Sequence, residues 1–312
     1  MQYTTLKKTD LNISRIGLGT NAVGGHNLFE NLNEEDGKNF VRAAIEEGIT
    51  FIDTADIYGK GRSEELVGEV IKEKPRNEIV LATKGANEWF SDGSVVKNNN
   101  PAYLRKAFEN SLKRLNTDYV DLYYIHFPDG KTPVGDAVAE LVKLREEGKI
   151  RAIGVSNMSI DQLKEANAHG DINALQMAYH MFDRSVEQDV LPYCVENDIS
   201  FIPYGPLAFG LLGGKYTKDF KLAANDWRNS VPLFAEGEFE KNLAKVEQLK
   251  EAAAQKQTTV SHLALAWLLA QDGVDSVIPG GKRPEQIRDT AKAAGVLLHE
   301  EDLKKIDTIL GA

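Results

Sequence analysis

The chain has 312 residues, enough for one large folded unit or two ordinary ones. Its net charge of −10 argues against a nucleic-acid or anionic-membrane partner. The only cysteine is Cys194, so neither a disulfide framework nor a cysteine-built metal cluster can form. No apolar run reaches the roughly 18 residues of a membrane span, and MQYTTLKKTDLNIS lacks a signal-peptide core. A soluble, cytoplasmic protein is expected.

In chain order, YTTLKKTDLNIS (3–14) reads as a hairpin. Eight short apolar runs follow: IGLG (16–19), TFID (50–53), IVLAT (79–83), YVDLYYI (119–125), IRAIGVS (150–156), ALQMAY (174–179), ISFIPY (199–204) and DSVIP (275–279). They are nearly continuous in apolar residues, as strands covered on both faces are. Between them lie segments with apolar residues at helical spacing, such as EEDGKNFVRAAIEEG (34–48) and PAYLRKAFENSLKRL (101–115). This alternation predicts an α/β fold, a closed (β/α)8 TIM barrel, with residues 1–312 as one domain. A doubly wound sheet competes; eight units of similar length without a central glycine fingerprint disfavour it. The segment GPLAFGLLGGKYTKDFKLAANDWRNSVP (205–232) predicts a functional loop. Two extra helices are expected after it, near 237–256 and 259–271. GANEWFSDGSVVKNNN (85–100) reads as a polar loop with freedom to move.

Active sites of such barrels form at the carboxyl ends of the strands. The second run ends at Asp53, with Tyr58 just beyond; the third ends at Thr83 and Lys84, the fourth at Ile125 and His126. The fifth ends at Ser156 and Asn157, the sixth carries Gln176, and the seventh ends at Tyr204. Each has a plainer reading alone: a helix cap, a packing tyrosine, a solvated lysine, a structural histidine. Together, four ionisable groups at strand ends are costly to desolvate and hard to justify by packing.

A neutral phenol, with a pKa of about 10, is a poor proton donor at pH 7. An ammonium nearby favours the phenolate and lowers that value. Lys84 supplies the ammonium, and Asp53 can hold it charged and in place. His126 can hydrogen-bond an oxygen gaining negative charge. This set suits reduction of a carbonyl. No amino acid donates hydride, so a cofactor must.

The chain resembles the aldo-keto reductases over nearly its whole length. The motifs are IGLGT (16–20), DTADIYG (53–59), ATK (82–84), SLKRLNTDYVDLYYIH (111–126), GKIRAIGVSN (148–157), YGPL (204–207) and IPGGKRPEQI (278–287). The segment 16–35 is most similar to the bacterial members encoded with inositol-catabolism genes. The resemblance implies that the family's catalytic Asp, Tyr, Lys and His fall on Asp53, Tyr58, Lys84 and His126. It implies a nicotinamide site at Ser156, Asn157 and Gln176, with Tyr204 stacking on the ring and Gly19, Thr20 and Asn21 also facing the cofactor. Gly205, Leu207, Gly210, Leu211 and Lys215 would wrap the pyrophosphate. Gly280, Lys282, Arg283 and Gln286 would hold the ribose phosphate, so NADPH (NADP+) is expected over NADH. Asp289 and Thr290 stand where the family often has an adenine-binding Asn.

Read on its own, IPGGKRPEQIRD (278–289) has two glycines that permit close backbone approach, then a proline at a helix start that favours an anion. No GxxxxGK[ST] and no GxGxxG opening a βαβ unit is present. His26, His126, His169, His180, His262 and His299 show no metal-ligand spacing, so no metal is expected. An NADPH-dependent reductase of a small-molecule aldehyde or ketone is the leading expectation. The rivals are a cofactor-sensing regulatory subunit and a lyase or isomerase on the same barrel. Trp89, Phe90 and Trp227, with Asn21 to Leu28, are the expected walls of the substrate pocket.

Overall fold

Seven parallel strands curl into one sheet in the computed structural model, which describes residues 1–311. Ahead of them lies the expected hairpin, β1 (Tyr3–Thr5) and β2 (Asn12–Ser14). The curled sheet contains β3 (Leu18–Gly19), β4 (Phe51–Asp53), β5 (Val80–Gly85), β8 (Val120–Ile125), β9 (Ile150–Ser156), β10 (Ala174–Gln176) and β11 (Ser200–Phe201). They neighbour one another in chain order, the signature of a TIM-barrel-like fold. The expected eighth strand is reduced to isolated parallel bridges. Phe201 pairs with Val274 on one side, and Ile16 with Val277 and Gly19 with Gly280 on the other. Pro279 has no N–H to give a ladder; its carbonyl accepts from the Gly19 N–H at 3.0 Å.

The expected loop 85–100 is folded instead. An antiparallel hairpin, β6 (Asn87–Trp89) and β7 (Val95–Lys97), pairs Asn87 with Lys97. The reason is the turn, in which Gly93 takes φ +89° and Phe90 N–H donates to Ser94 O at 3.0 Å.

Helices follow their local signals. In α1 (Glu34–Glu46), Asn33 caps the N–H groups of Glu35 and Asp36. In α3 (Pro101–Leu115), Asn100 caps, Pro101 opens, and Asn116 closes in the left-handed region. The remaining helices are α2 (Arg62–Ile71), α4 (Val134–Glu146), α5 (Ile160–Ala166), α6 (Val190–Glu196), α7 (Glu238–Gln255), α8 (Val260–Leu269), α9 (Pro284–Thr290) and α10 (Glu300–Leu310). The two extra helices expected after the long loop are α7 and α8.

Strand parity divides the core in two. Phe51, Val80, Ala82, Leu122, Tyr124, Ala152, Ala174, Ile202 and Ile278 form the inner cluster, joined by Leu6, Leu11 and Ile13 of the hairpin region. The alternate residues, including Ile52, Leu81, Tyr123, Ile153 and Leu175, belong to the larger cluster shared with the helices. Asp53, Lys84, His126, Ser156, Gln176 and Tyr204 continue the inner series two residues at a time. The ladder pairs Asp53 with Ala82, Lys84 with Tyr124, and Ser156 with Gln176.

Candidate active site

Asp53 closes β4 and Lys84 lies near the end of β5, both essentially without solvent exposure. Lys84 Nζ donates to Asp53 Oδ1 and, at 2.8 Å, to the Thr54 carbonyl. The second oxygen of Asp53 accepts from Gln176 Nε2 at 3.0 Å. Burial works against the charge on Lys84, but Asp53 and Tyr58 outweigh it, and its pKa is raised. The ammonium therefore persists in the interior at neutral pH.

Tyr58 opens a short turn after β4, with part of the residue still exposed. Its ring centroid is 5.4 Å from Lys84 Nζ and 6.1 Å from the His126 ring, which it meets edge-on. The turn needs Gly59, whose φ is +62°; a Cβ there would sit 2.0 Å from the Gly24 carbonyl. Asn27 Oδ1 accepts from Gly59 N–H at 2.6 Å and ties the turn to the loop after β3. The expected lowering of the Tyr58 pKa is corrected. Burial raises it, and the Lys84 charge offsets only part of that rise. The phenol is thus a neutral O–H donor at physiological pH.

His126 follows β8 and is 7% exposed. Burial, then Lys84 and Lys97, hold its pKa well below the ordinary histidine value, so the ring is neutral at pH 7. Asn87 Nδ2 lies 3.1 Å from His126 Nδ1. Asn157 Nδ2 donates to the His126 carbonyl at 3.1 Å and to Ser156 Oγ at 2.9 Å, while the Tyr204 hydroxyl donates to Asn157 Oδ1 at 2.9 Å. The structure thus brings Asp53, Tyr58, Lys84, His126, Ser156, Asn157, Gln176 and Tyr204 to one end of the sheet. The phenol and the neutral imidazole thus lie side by side, and donors on both could stabilise an oxygen gaining charge next to them.

Other expected residues are placed differently. Thr20 is buried, and its hydroxyl donates to the Asp53 carbonyl at 2.9 Å, bracing the end of β4. Leu211 is fully buried in the outer core, leaving its backbone as the part able to reach a ligand. Ala208, Phe209 and Gly210 have positive φ, so the loop after β11 turns back sharply. Gln286 Oε1 accepts the backbone N–H groups of Lys282 (2.8 Å) and Arg283 (3.0 Å), both exposed residues. Trp89 lies 5.8 Å beneath the Arg114 guanidinium, itself paired with buried Glu64. Phe90 is exposed, and Trp227 meets Phe209 edge-on at 5.3 Å on another loop. Sequence reasoning missed Asn87 and the Gln176–Asp53 bond. It also missed Asp56, buried with neither oxygen partnered; burial and then Glu64 raise its pKa well above the carboxylate range.

Among the described residues, no group of three or more His, Cys, Asp or Glu side chains could hold a metal ion, and no helix is long and apolar enough to cross a membrane.

Residues 15–310 match the family model described as "Aldo/keto reductase family". The aldo-keto reductase YhdN of Bacillus subtilis (strain 168) is 41% identical over 312 residues, covering 99% of this chain and 94% of its own. The NADH-specific methylglyoxal reductase of Escherichia coli (strain K12) is 35% identical, covering 97% and 96%. The aldo-keto reductase yakc [NADP(+)] of Schizosaccharomyces pombe (strain 972 / ATCC 24843) is also 35% identical, covering 98% and 91%. Among solved structures, the glycerol dehydrogenase AKR11B4 of Gluconobacter oxydans superposes with a TM-score of 0.93 at 36% identity, over 99% of this chain and 95% of that one.

Proposed function

The chain belongs to the aldo/keto reductase family, oxidoreductases acting on carbonyl and alcohol groups, and from that premise we propose that it reduces an aldehyde or ketone to the alcohol with NADPH. The observation that carries this reading is the buried Asp53–Lys84 pair set beside Tyr58, with neutral His126 edge-on to the same phenol. A bound nicotinamide cofactor supplies the hydride that no side chain can. Tyr58 then gives its O–H proton to the carbonyl oxygen as that oxygen becomes an alkoxide, a far stronger base than the phenolate left behind. The Lys84 ammonium stabilises the phenolate, and Asp53 keeps Lys84 charged and oriented. His126 donates a hydrogen bond to the same substrate oxygen and lowers the cost of its developing charge. In the reverse direction the phenolate takes the alcohol proton.

The cofactor fits the residues present. Gly280 adjoins Asn21, whose Oδ1 a Cβ on Gly280 would meet at 2.9 Å, so the backbone at the end of the eighth run lies beside the loop after β3. Ser156, Asn157 and Tyr204, linked to one another by hydrogen bonds, would hold the nicotinamide end. Lys282 and Arg283 are the residues for a ribose phosphate, Arg for its bidentate geometry. The relatives divide by their names between NADH and NADP(+), so the NADPH preference rests on this pair of side chains. The likeness of segment 16–35 supports a reading of the chain as one of the inositol-catabolism-linked members, a reading that selects no substrate.

Tyr58→Phe tests the reading because it removes the hydroxyl and keeps the ring. Carbonyl reduction should fall by at least about 10²-fold, the scale of a general acid, with NADPH affinity nearly unchanged. Near-normal turnover would overturn the assignment.

A further inference from the structure

Asn87 has no place in the sequence-level account, yet it is 6% exposed and its amide faces His126 Nδ1 at 3.1 Å. An amide NH2 group can only donate, so the ring nitrogen it meets must carry a lone pair. The single proton of the neutral imidazole is then on Nε2. We propose that Asn87 is a positioning residue that fixes His126 as the Nε2–H tautomer, so that the neutral ring presents a donor to the substrate oxygen; the catalytic part of this inference rests on the reading above.

Four further observations support it. Ala86, immediately before Asn87, holds φ +95°, a left-handed conformation that alanine rarely adopts. Such strain persists where the surroundings over-determine it, and here it lies between β5, which carries Lys84, and the residue that faces His126. The Asn87 backbone is pinned on both sides: its carbonyl accepts from the Tyr103 hydroxyl at 2.7 Å, and β7 pairs it with Lys97. The His126 ring is itself held, stacked on Phe127 at 4.7 Å, and Lys97 caps Phe127 at 4.6 Å. The charged and titratable groups facing the ring are Lys84 from β5, Lys97 from β7 and Tyr58 from the turn after β4. None is a carboxylate that would draw the proton to Nδ1. A carboxylate is the usual orienting partner of a histidine that must accept a proton; an amide donor is the opposite arrangement.

The test uses the full-length protein with nitrogen-labelled histidine. Two-bond nitrogen–proton NMR spectra read the His126 tautomer directly, with or without turnover, so the result stands even if no carbonyl is found to be reduced. The Nε2–H form is expected in the wild type at pH 7. Asn87→Asp puts an acceptor opposite Nδ1. The neutral ring should switch to Nδ1–H, turnover at neutral pH should fall by about 10²-fold, and activity should recover toward acid pH as the imidazolium forms. Asn87→Ala should give mixed tautomers and a loss of about tenfold, the worth of one ordinary hydrogen bond, and it replaces the aspartate variant if that one does not fold. Unchanged binding of the reduced cofactor, followed by fluorescence, reports an intact fold. An Nδ1–H ring in the wild type, or variants with unaltered tautomer and pH profile, would overturn the proposal.

Discussion

The sheet carries a buried carboxylate at each end, and the two are built to different ends. Asp53 at the carboxyl end of β4 and Asp121 near the amino end of β8 are each 1% exposed. Asp121 is shared by two guanidiniums, Arg76 at 2.8 Å and Arg151 at 3.0 Å, and also accepts from the Leu81 N–H at 2.9 Å. Arg151 continues to Asp10, next to the hairpin. Every partner there is permanently charged or part of the backbone. Asp53 has instead a lysine ammonium and a neutral amide, and the lysine faces a phenol. A buried carboxylate alone therefore says little about function. What distinguishes the two sites is whether the partner's charge acts on a third group that can exchange a proton.

Substitutions at the two ends should separate activity from stability. The largest effect is expected from Lys84→Met, which should lower turnover by at least about 10²-fold, or about 2.7 kcal/mol of barrier. Lys84 is what offsets the burial-driven rise of the Tyr58 pKa. Without it that pKa climbs further, so the alkaline limb, where a general acid is lost, should move to higher pH. Asp53→Asn should cost less, since Asp53 acts on Tyr58 through Lys84. Rate–pH profiles of both variants check this, and a worse defect in Asp53→Asn would reverse the order of roles.

Next in size is Asp121→Asn, read as a urea midpoint. It should destabilise by about 1.5–3 kcal/mol, the range for hydrogen bonds to a charged group. Solvent around Arg151, whose side chain is 40% exposed, holds it toward the low end. The kcat of the folded fraction should be unchanged; a loss comparable to that of Lys84→Met would erase the contrast between the ends. The smallest effect belongs to Lys282→Ala with Arg283→Ala. NADPH should bind one to two decades more weakly, about 1.4–2.7 kcal/mol, with NADH affinity and the urea midpoint almost unmoved. Equal losses for both cofactors would mean that the two residues hold the loop rather than read a phosphate.

The strand-end residues were legible because a period-2 element ending at the site puts its last inward residue there. Asp53, Lys84, His126 and Gln176 could each be read from the run that precedes it. Their connections could not. Gln176 and Asp53 are 123 residues apart, and no local pattern links them. Asn87 was hidden for another reason: its segment was taken as loop, although Asp92 and Gly93 between two short apolar pairs were a usable hairpin signal. The sixth and seventh runs form continuous strands only over part of their length: after Gln176 and Pro203 their pairing is a single bridge, Ala178 with Tyr204. The direction of the Tyr58 pKa required the depth of the site, which composition does not carry.

The thin eighth strand has a consequence for how the molecule is made. The contacts that complete the ring join the first strand region to the last: the Ser276 hydroxyl donates to the Ser14 carbonyl across 262 residues of chain. Every earlier pairing in the sheet joins neighbours in sequence order and can form as the chain lengthens. Closure cannot, because it waits for synthesis to pass residue 280 and then meets the greatest loop-closure entropy in the fold. The sheet itself repays it only with single bridges and a proline-interrupted run; the rest comes from Arg15, which donates to the Leu269 and Val274 carbonyls, and from α9 packed on α1. A chain that folded as it was made would hold an open, curled sheet with two unsatisfied edges, the kind of species exposed to edge-to-edge association, until the last run arrived.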